Sequence, residues 1–188
     1  RRSDSTMIKR ISAPMTEETM QTLKAGDTVL LSGVVYTARD AAHKRMCQAL
    51  ESGQRLPFPL EGAVIYYVGP TPAKPGQVIG SAGPTTSGRM DAYAPKLIER
   101  GLKGMIGKGQ RAQEVINAMV ANGAVYFAAT GGAGALLASR IKSCELIAWE
   151  DLGTEAVRKL EVVDFPLTVV IDRDGTNLYD MAALAYQE

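Results

Sequence analysis

Cysteine is scarce in this chain: 188 residues carry two, Cys47 and Cys144, with no CxxC spacing. So few thiols cannot staple a disulfide framework, and they fall short of the set that a cysteine-ligated metal centre needs, so no complete centre of that kind is expected within the chain. Charge of one sign is also missing. Lys and Arg number 21 against 20 Asp and Glu, a formal net charge of +1, so no basic face is expected to take nucleic acid as a partner. Apolar runs are broken by Gly, Pro or charge well short of the roughly 20 residues of a bilayer span, and no signal-peptide pattern opens the chain. A soluble, cytoplasmic protein without membrane attachment is expected. Residues 1–6, which show no apolar period ahead of Met7, are expected to be an expression remnant or a disordered start.

What is present is a core: 46% of the residues are hydrophobic, enough for one domain over residues 7–188. From Ile8 to Gly26 the pattern is mixed, with a short helical or turn-like entry in "TEETMQTLKAGD". "VLLSGVVY" (29–36) then predicts a buried strand, and Ala42, Met46, Ala49 and Leu50 recur at helical spacing up to Ser52-Gly53. Strand and helix keep alternating. "AVIYYV" predicts a strand, "GPTPAKPGQVIGSAGPTTSG" a long loop, and Ala94, Leu97 and Ile98 a helical face. "LKGMIG" predicts a strand, and Ala112 to Val120 a helix stopped by Asn122-Gly123. "AVYFAA" predicts a strand, "TGGAGA" a glycine turn, "ALLASRI" a short helix, and "CELIAW" and "LTVVID" two more strands. Asp174-Gly175 has the chemistry of a hairpin turn leading into "TNLYDMA". The expected class is α/β, a largely parallel central sheet with helices and additional strands.

In such sheets ligands gather beyond the carboxyl ends of the strands. Arg39 and Asp40 follow the first strand, Thr85 to Arg89 precede the next helix, Lys108 follows "MIG", and Thr130 to Gly134 follow "YFAA". The segment Gly83 to Arg89 has the makings of an anion cradle: small residues, hydroxyl donors, a helix start and a planar guanidinium. The alternative is a plain helix cap, with Arg89 paired to Asp91 or Glu99. Arg39 likewise either faces a ligand or pairs with a surface acid. His43, one turn on, could orient Arg39, shuttle a proton or simply pack. Lys108, between two glycines, has no helical face to cover. "TGGAGA" lacks the GxGxxG spacing and "GKGQRAQ" the Walker spacing, so neither is read as a nucleotide site. Cys47 and Cys144 are read as core thiols.

Taken in order, "SGVVYTARDAAHKR", "YYVGPTP", "GPTTSGRMD", "MIGKG" and "VYFAATGGAGAL" resemble the class I iron-sulfur fumarate hydratases and their L(+)-tartrate dehydratase relatives. The resemblance runs from about Leu30 to "LTVVIDRDGTNLYD", over most of the chain. It looks like the small β subunit of the two-subunit form, similar to the C-terminal domain of the single-chain enzymes. It implies a swivelling β/β/α domain that closes over a 4Fe-4S cluster held by three cysteines of a separate α subunit, within an α2β2 heterotetramer. The implied activity is that of a hydro-lyase of the tricarboxylic acid cycle, the reversible hydration of fumarate to L-malate, expressed only in complex with the α subunit. Carried over residue by residue, Arg39 and Arg89 match the substrate-carboxylate arginines, Lys108 the substrate-binding lysine, and Thr85 the threonine proposed as catalytic base. His43, Thr86, Gly131 and Gly132 stand beside them as supporting positions. The alternatives are a tartrate dehydratase or methylfumarate hydratase β subunit, or a non-catalytic anion-binding module that uses the same cations.

Overall fold

Three short apolar runs form the centre of the fold because each is buried on both faces, which is why they read as continuous rather than alternating. They are β3 (Val64–Tyr66), β4 (Gly104–Gly107) and β5 (Val125–Ala129), in a computed structural model that describes residues 8–129 and 134–187. Before them come β1 (Ile8–Ala13), α1 (Glu17–Thr22), β2 (Thr28–Thr37) and α2 (Asp40–Glu51). Between them lie α3 (Ala94–Glu99) and α4 (Gln113–Asn122); after them follow α5 (Gly134–Ala138), β6 (Ile141–Ala148), β7 (Val157–Ile171) and α6 (Leu178–Gln187).

Strands β1 to β5 run parallel and pair in chain order, whereas β7 is antiparallel to β5, β6 and β2. The pairings β2-β3-β4-β5-β7 therefore return to β2 and close a ring. Val29, Leu31 and Val35 of β2, Val64 and Tyr66, Ile106, Val125 and Phe127 meet Leu160, Phe165, Leu167 and Val169 of β7 in one core. The alternate residues, Ile65, Tyr67, Met105 and Tyr126, form a second core with Ala42 and Met46 of α2, Leu97 and Ile98 of α3, and Val115 and Met119 of α4. The period of two divides each strand between the ring interior and the helical layer.

β7 reaches all three partners because it bends at one extra residue. Leu31 faces Phe165 while Gly33 faces Val162, so β7 spends one residue more than β2 over this interval. Asp164 carries a φ of 51°, and its N–H donates to Ser32 Oγ at 3.0 Å. Such a bulge redirects the strand: the first half of β7 pairs with β6 and the second half with β5.

The sheet is thus mixed, with a parallel majority, and three expectations need correction. The stretch before the helical entry contains a strand, β1, and "LTVVID" is only the end of a strand of 15 residues. Asp174-Gly175 does form the expected hairpin turn, with Gly175 N–H donating to Asp172 O at 3.0 Å inside an antiparallel bridge of Ile171 with Asn177, and helix α6 follows it. Finally, Arg89 does not sit in the first turn of an α-helix. Ser87–Met90 is a single 3-10 turn, and α3 begins only at Ala94, with a proline in its first turn. Among the described residues no helix is long and apolar enough to cross a membrane.

Candidate functional site

The parallel arrangement sends the chain off the same edge of the sheet after β2, β3, β4 and β5. Arg39 occupies the N-cap of α2 two residues beyond β2. Thr85 N–H donates to Tyr67 O at 2.8 Å, which hooks the end of the long loop onto the residue after β3. Thr86 then forms a parallel bridge with Lys108, and Ser87 N–H donates to Lys108 O at 2.8 Å. Thr85, Thr86, Arg89 and Lys108 therefore share one backbone-bonded junction at the ends of β3 and β4. Gly131 and Gly132 lie outside the described residues.

Arg89 is exposed, and among the described residues it forms no ion pair. Of the two acids proposed to neutralise it, Asp91 is taken, and Glu99 forms no ion pair with it among the described residues. Asp91 Oδ1 accepts from Arg111 Nε at 2.8 Å and its Oδ2 from Ala112 N–H at 2.7 Å, just before α4. Nor do the hydroxyls here serve as a helix cap: Thr86 makes no capping bond, and Ser87 Oγ lies 2.7 Å from the Tyr126 hydroxyl instead. Lys108 is exposed on the neighbouring loop. Both cations are open to an anion from outside.

Arg39 is more confined. Its side chain is 22% exposed, its Nε stands 3.8 Å from Asp40 Oδ1, and neither of these buried atoms has a hydrogen-bond partner. A Cβ on Gly69 would come within 3.1 Å of Arg39 Nη1, so the glycine after β3 leaves room for the guanidinium to cross it. The acid that meets the start of α2 is Glu155, whose Oε1 accepts from Ala41 N–H at 3.0 Å. His43 fixes Arg39 from the other side. Its ring Nδ1 lies 2.9 Å from Arg39 O, the same carbonyl that accepts its backbone N–H at 2.8 Å. The ring is fully buried against Tyr67, with centroids 5.3 Å apart, and Nε2 has no partner. Burial lowers the His43 pKa to about 4, with Arg111 adding to the effect, while the Arg39 carbonyl and Asp40 oppose it. The imidazole is neutral near pH 7, with Nδ1–H as the donor to Arg39.

The residues that sequence reasoning missed lie one layer below. Arg111 is buried, its guanidinium 5.2 Å from the Tyr67 ring and 4.8 Å from the Tyr126 ring. It donates from Nη2 to the Tyr67 hydroxyl at 3.1 Å. Tyr126 donates to Gly109 O at 2.8 Å, and Gly109 N–H donates to the Tyr179 hydroxyl at 3.2 Å. Burial pushes both the Tyr67 and the Tyr126 phenols up, so each stays protonated. The available signal was a tyrosine inside an otherwise aliphatic run, since a buried phenol needs a partner.

Neither cysteine fits a metal cluster. Cys47 is buried on α2 with Sγ 3.7 Å from Tyr93 O, and Cys144 lies on β6 against the ring core. Burial raises both thiols, which disfavours the thiolate a metal needs. Among the described residues no group of three or more His, Cys, Asp or Glu side chains is placed to hold a metal ion.

A family model described as Fumarase C-terminus matches residues 2–182. The aerobic class I fumarate hydratase of Escherichia coli K12 is 38% identical over 156 residues, which are 82% of this chain and 28% of that protein. The mitochondrial fumarate hydratase 1 of Leishmania major is 39% identical over 152 residues, 80% of this chain and 28% of the relative. The chain therefore spans little more than a quarter of those proteins. A Methanocaldococcus jannaschii protein, provisionally named the beta subunit of an L(+)-tartrate dehydratase, is 39% identical over 172 residues, 88% of each chain. With its motifs on one sheet edge and the family match running almost end to end, the chain belongs to the Fumarase C-terminus family.

Proposed function

We propose that this chain is the β subunit of a two-subunit iron-sulfur hydro-lyase and serves as its swivelling domain, the reaction being the reversible hydration of fumarate to L-malate. The observation that carries the reading is the pair of open cations, Arg89 and Lys108, on loops bonded to each other beside Thr85, with Asp91, two residues from Arg89 in the chain, already spent on Arg111. A four-carbon dicarboxylate brings two negative charges, and cations from separate loops suit both ends. In this reading Arg89 and Arg39 bind carboxylates, Lys108 binds the same substrate, and Thr85 handles the proton at the carbon next to the hydroxyl-bearing one. A threonine hydroxyl is a weak base, so its deprotonated form depends on the surrounding cations, which also stabilise the extra charge of the aci-carboxylate formed on proton removal.

The cysteines of this chain do not fit a 4Fe-4S cluster, so the proposal places the cluster on a partner α subunit in an α2β2 assembly. Bound there, it would supply the Lewis acid for the substrate hydroxyl. The M. jannaschii relative, matched over 88% of both chains, favours a second reading in which the diacid is L(+)-tartrate.

The test is anaerobic mixing of the chain with a candidate cluster-bearing partner, following fumarate at its ultraviolet absorbance and 2-oxo acid formation from tartrate. Activity in the mixture, absent from each chain alone, is expected, with Thr85→Ala lowering kcat more than it raises KM. An intact cluster in a formed complex that turns over none of fumarate, methylfumarate and tartrate would refute the proposal in favour of a non-catalytic anion-binding module.

A further inference from the structure

We infer that Arg111, braced between Tyr67 and Tyr126, is the positioning residue that sets the spacing between the loops carrying Thr85, Arg89 and Lys108. The kinetic consequences drawn from it rest on the proposed function; the structural ones do not.

Arg111 is a charged side chain with 0% exposure, and its only acid partner among the described residues is Asp91, 14% exposed. Burying such a pair costs desolvation that an apolar replacement would avoid, so its presence is poorly explained by stability alone. What the pair does is join loops. Through Asp91, Arg111 grips the segment two residues beyond Arg89, and Asp91 in turn holds Ala112 N–H. Through Nη2 it holds the hydroxyl of Tyr67, whose backbone carbonyl receives Thr85 N–H. Its other ring neighbour, Tyr126, has a single hydroxyl hydrogen. That hydrogen goes to Gly109 O, so Ser87 Oγ must be the donor in the 2.7 Å contact. The Tyr126 oxygen therefore links the residue after Thr86 to the residue after Lys108.

Gly107 shows how tight this brace is. A Cβ there would collide with Ser87 Oγ and come within 2.7 Å of Tyr67 Cδ2. The loops carrying all three proposed substrate-facing residues of the β3 and β4 junctions are thus tied, at Thr85, Ser87, Asp91 and Gly109, to one buried guanidinium and its two tyrosines, none of which is itself exposed. Positioning by rigid, fully bonded neighbours is what a preorganised site requires.

Two variants test the inference by hydrogen exchange in the full chain and by steady-state kinetics in the reconstituted complex. Tyr126→Phe keeps the ring and its packing but removes both hydroxyl bonds. It is expected to speed amide exchange in residues 85–91 and 107–112, leaving β2 and α2 at their wild-type rates. It should also lower kcat/KM about tenfold, mostly in kcat, the scale of one or two lost hydrogen bonds. Arg111→Lys keeps the charge but not the planar fork and should lose more, about a hundredfold. Exchange that is unchanged in those two segments, or raised evenly across the chain, overturns the inference, as does a kcat/KM within twofold of wild type in a folded complex. Should Arg111→Lys fail to fold, Tyr126→Phe decides alone. A wild-type complex inactive on every diacid refutes the proposed function, and the exchange pattern then still decides whether the brace exists.

Discussion

His43 gives the chain a pH-dependent stability that can be isolated, because it is the one histidine among 188 residues. Its ring is fully buried and its pKa falls from 6.5 to about 4, mainly through burial. The folded protein therefore refuses a proton that the unfolded chain accepts below pH 6.5. The contribution is fully present above pH 6.5 and is lost progressively as the pH falls toward 4. At about 1.4 kcal/mol per pH unit, stability should drop by ~2 kcal/mol between pH 6.5 and 5.0, with uptake of about one proton on unfolding. Asp151 and Glu17, held low by Arg45 and Arg173, lose their stabilising charge only at lower pH, and an α-amino group titrates higher. The window from 5.0 to 6.5 belongs to His43. Urea unfolding at several pH values in this window, read as midpoint and slope, measures the effect in the wild type and in His43→Asn. The Asn amide can still donate to Arg39 O but cannot titrate. A wild-type stability that is flat across the window, or a pH slope that survives in His43→Asn, would refute the reasoning.

Arg89→Ala should leave the thermal midpoint unchanged, since the side chain is exposed and unpaired among the described residues, while kcat/KM for the dicarboxylate falls about a hundredfold; a melt and a Michaelis series check both halves. Gly107→Ala should destabilise the fold by about 1–3 kcal/mol in urea, because the new methyl cannot fit beside Ser87 and Tyr67 without moving them, and a wild-type midpoint would refute the packing. Glu155→Ala removes the acceptor of Ala41 N–H and a negative charge at the start of α2, and should cost about 1 kcal/mol in thermal unfolding, with Glu155→Gln losing less because its amide oxygen still accepts.

Much of the fold was legible because the signals were local. The runs at β3, β4 and β5 are apolar on both faces, and Gly123, at a φ of 76° with its N–H on Met119 O, stops α4 where Asn122-Gly123 predicts it. β1 and the first half of β7 were not legible. In "VRKLEVVDFP" two polar residues, Arg158 and Lys159, separate buried Val157 from buried Leu160, and after Val162 a bulge and Pro166 break the period of two again. Ring closure by β7 depends on long-range pairing that no local window carries. At the site, Arg39, Thr85, Arg89 and Lys108 stood out because each follows a strand. Arg111 did not, because a charged residue near a helix start looks like surface, and only the packed structure shows Tyr67 and Tyr126 closing over it.

The distribution of acids is consistent with the proposed anion site on one edge of a chain that is nearly neutral as a whole. Of the acids near that edge, Asp91 is held by Arg111 and Ala112, and Glu155 by Ala41 N–H. Asp151 is bonded to Arg45, which also lies over the Trp149 ring. These three acids are turned toward the backbone or a structural arginine and Asp40 lies beside Arg39, leaving Arg89 and Lys108 without an ion pair at their own loops among the described residues. Strand order does the rest: β2, β3 and β4 are successive neighbours, so junctions separated by about 5 Å per strand carry Arg39, then Thr85 with Arg89, then Lys108. Long side chains rooted at the outer two junctions can converge on an anion at the middle one. Because the ring core and the helical layer form without that edge, Arg89 and Lys108 stay exposed in the folded chain, and in the proposed complex they would lose water only when the diacid and the partner cover them. Desolvation then falls in the bound state, where a charge pair gains most from it.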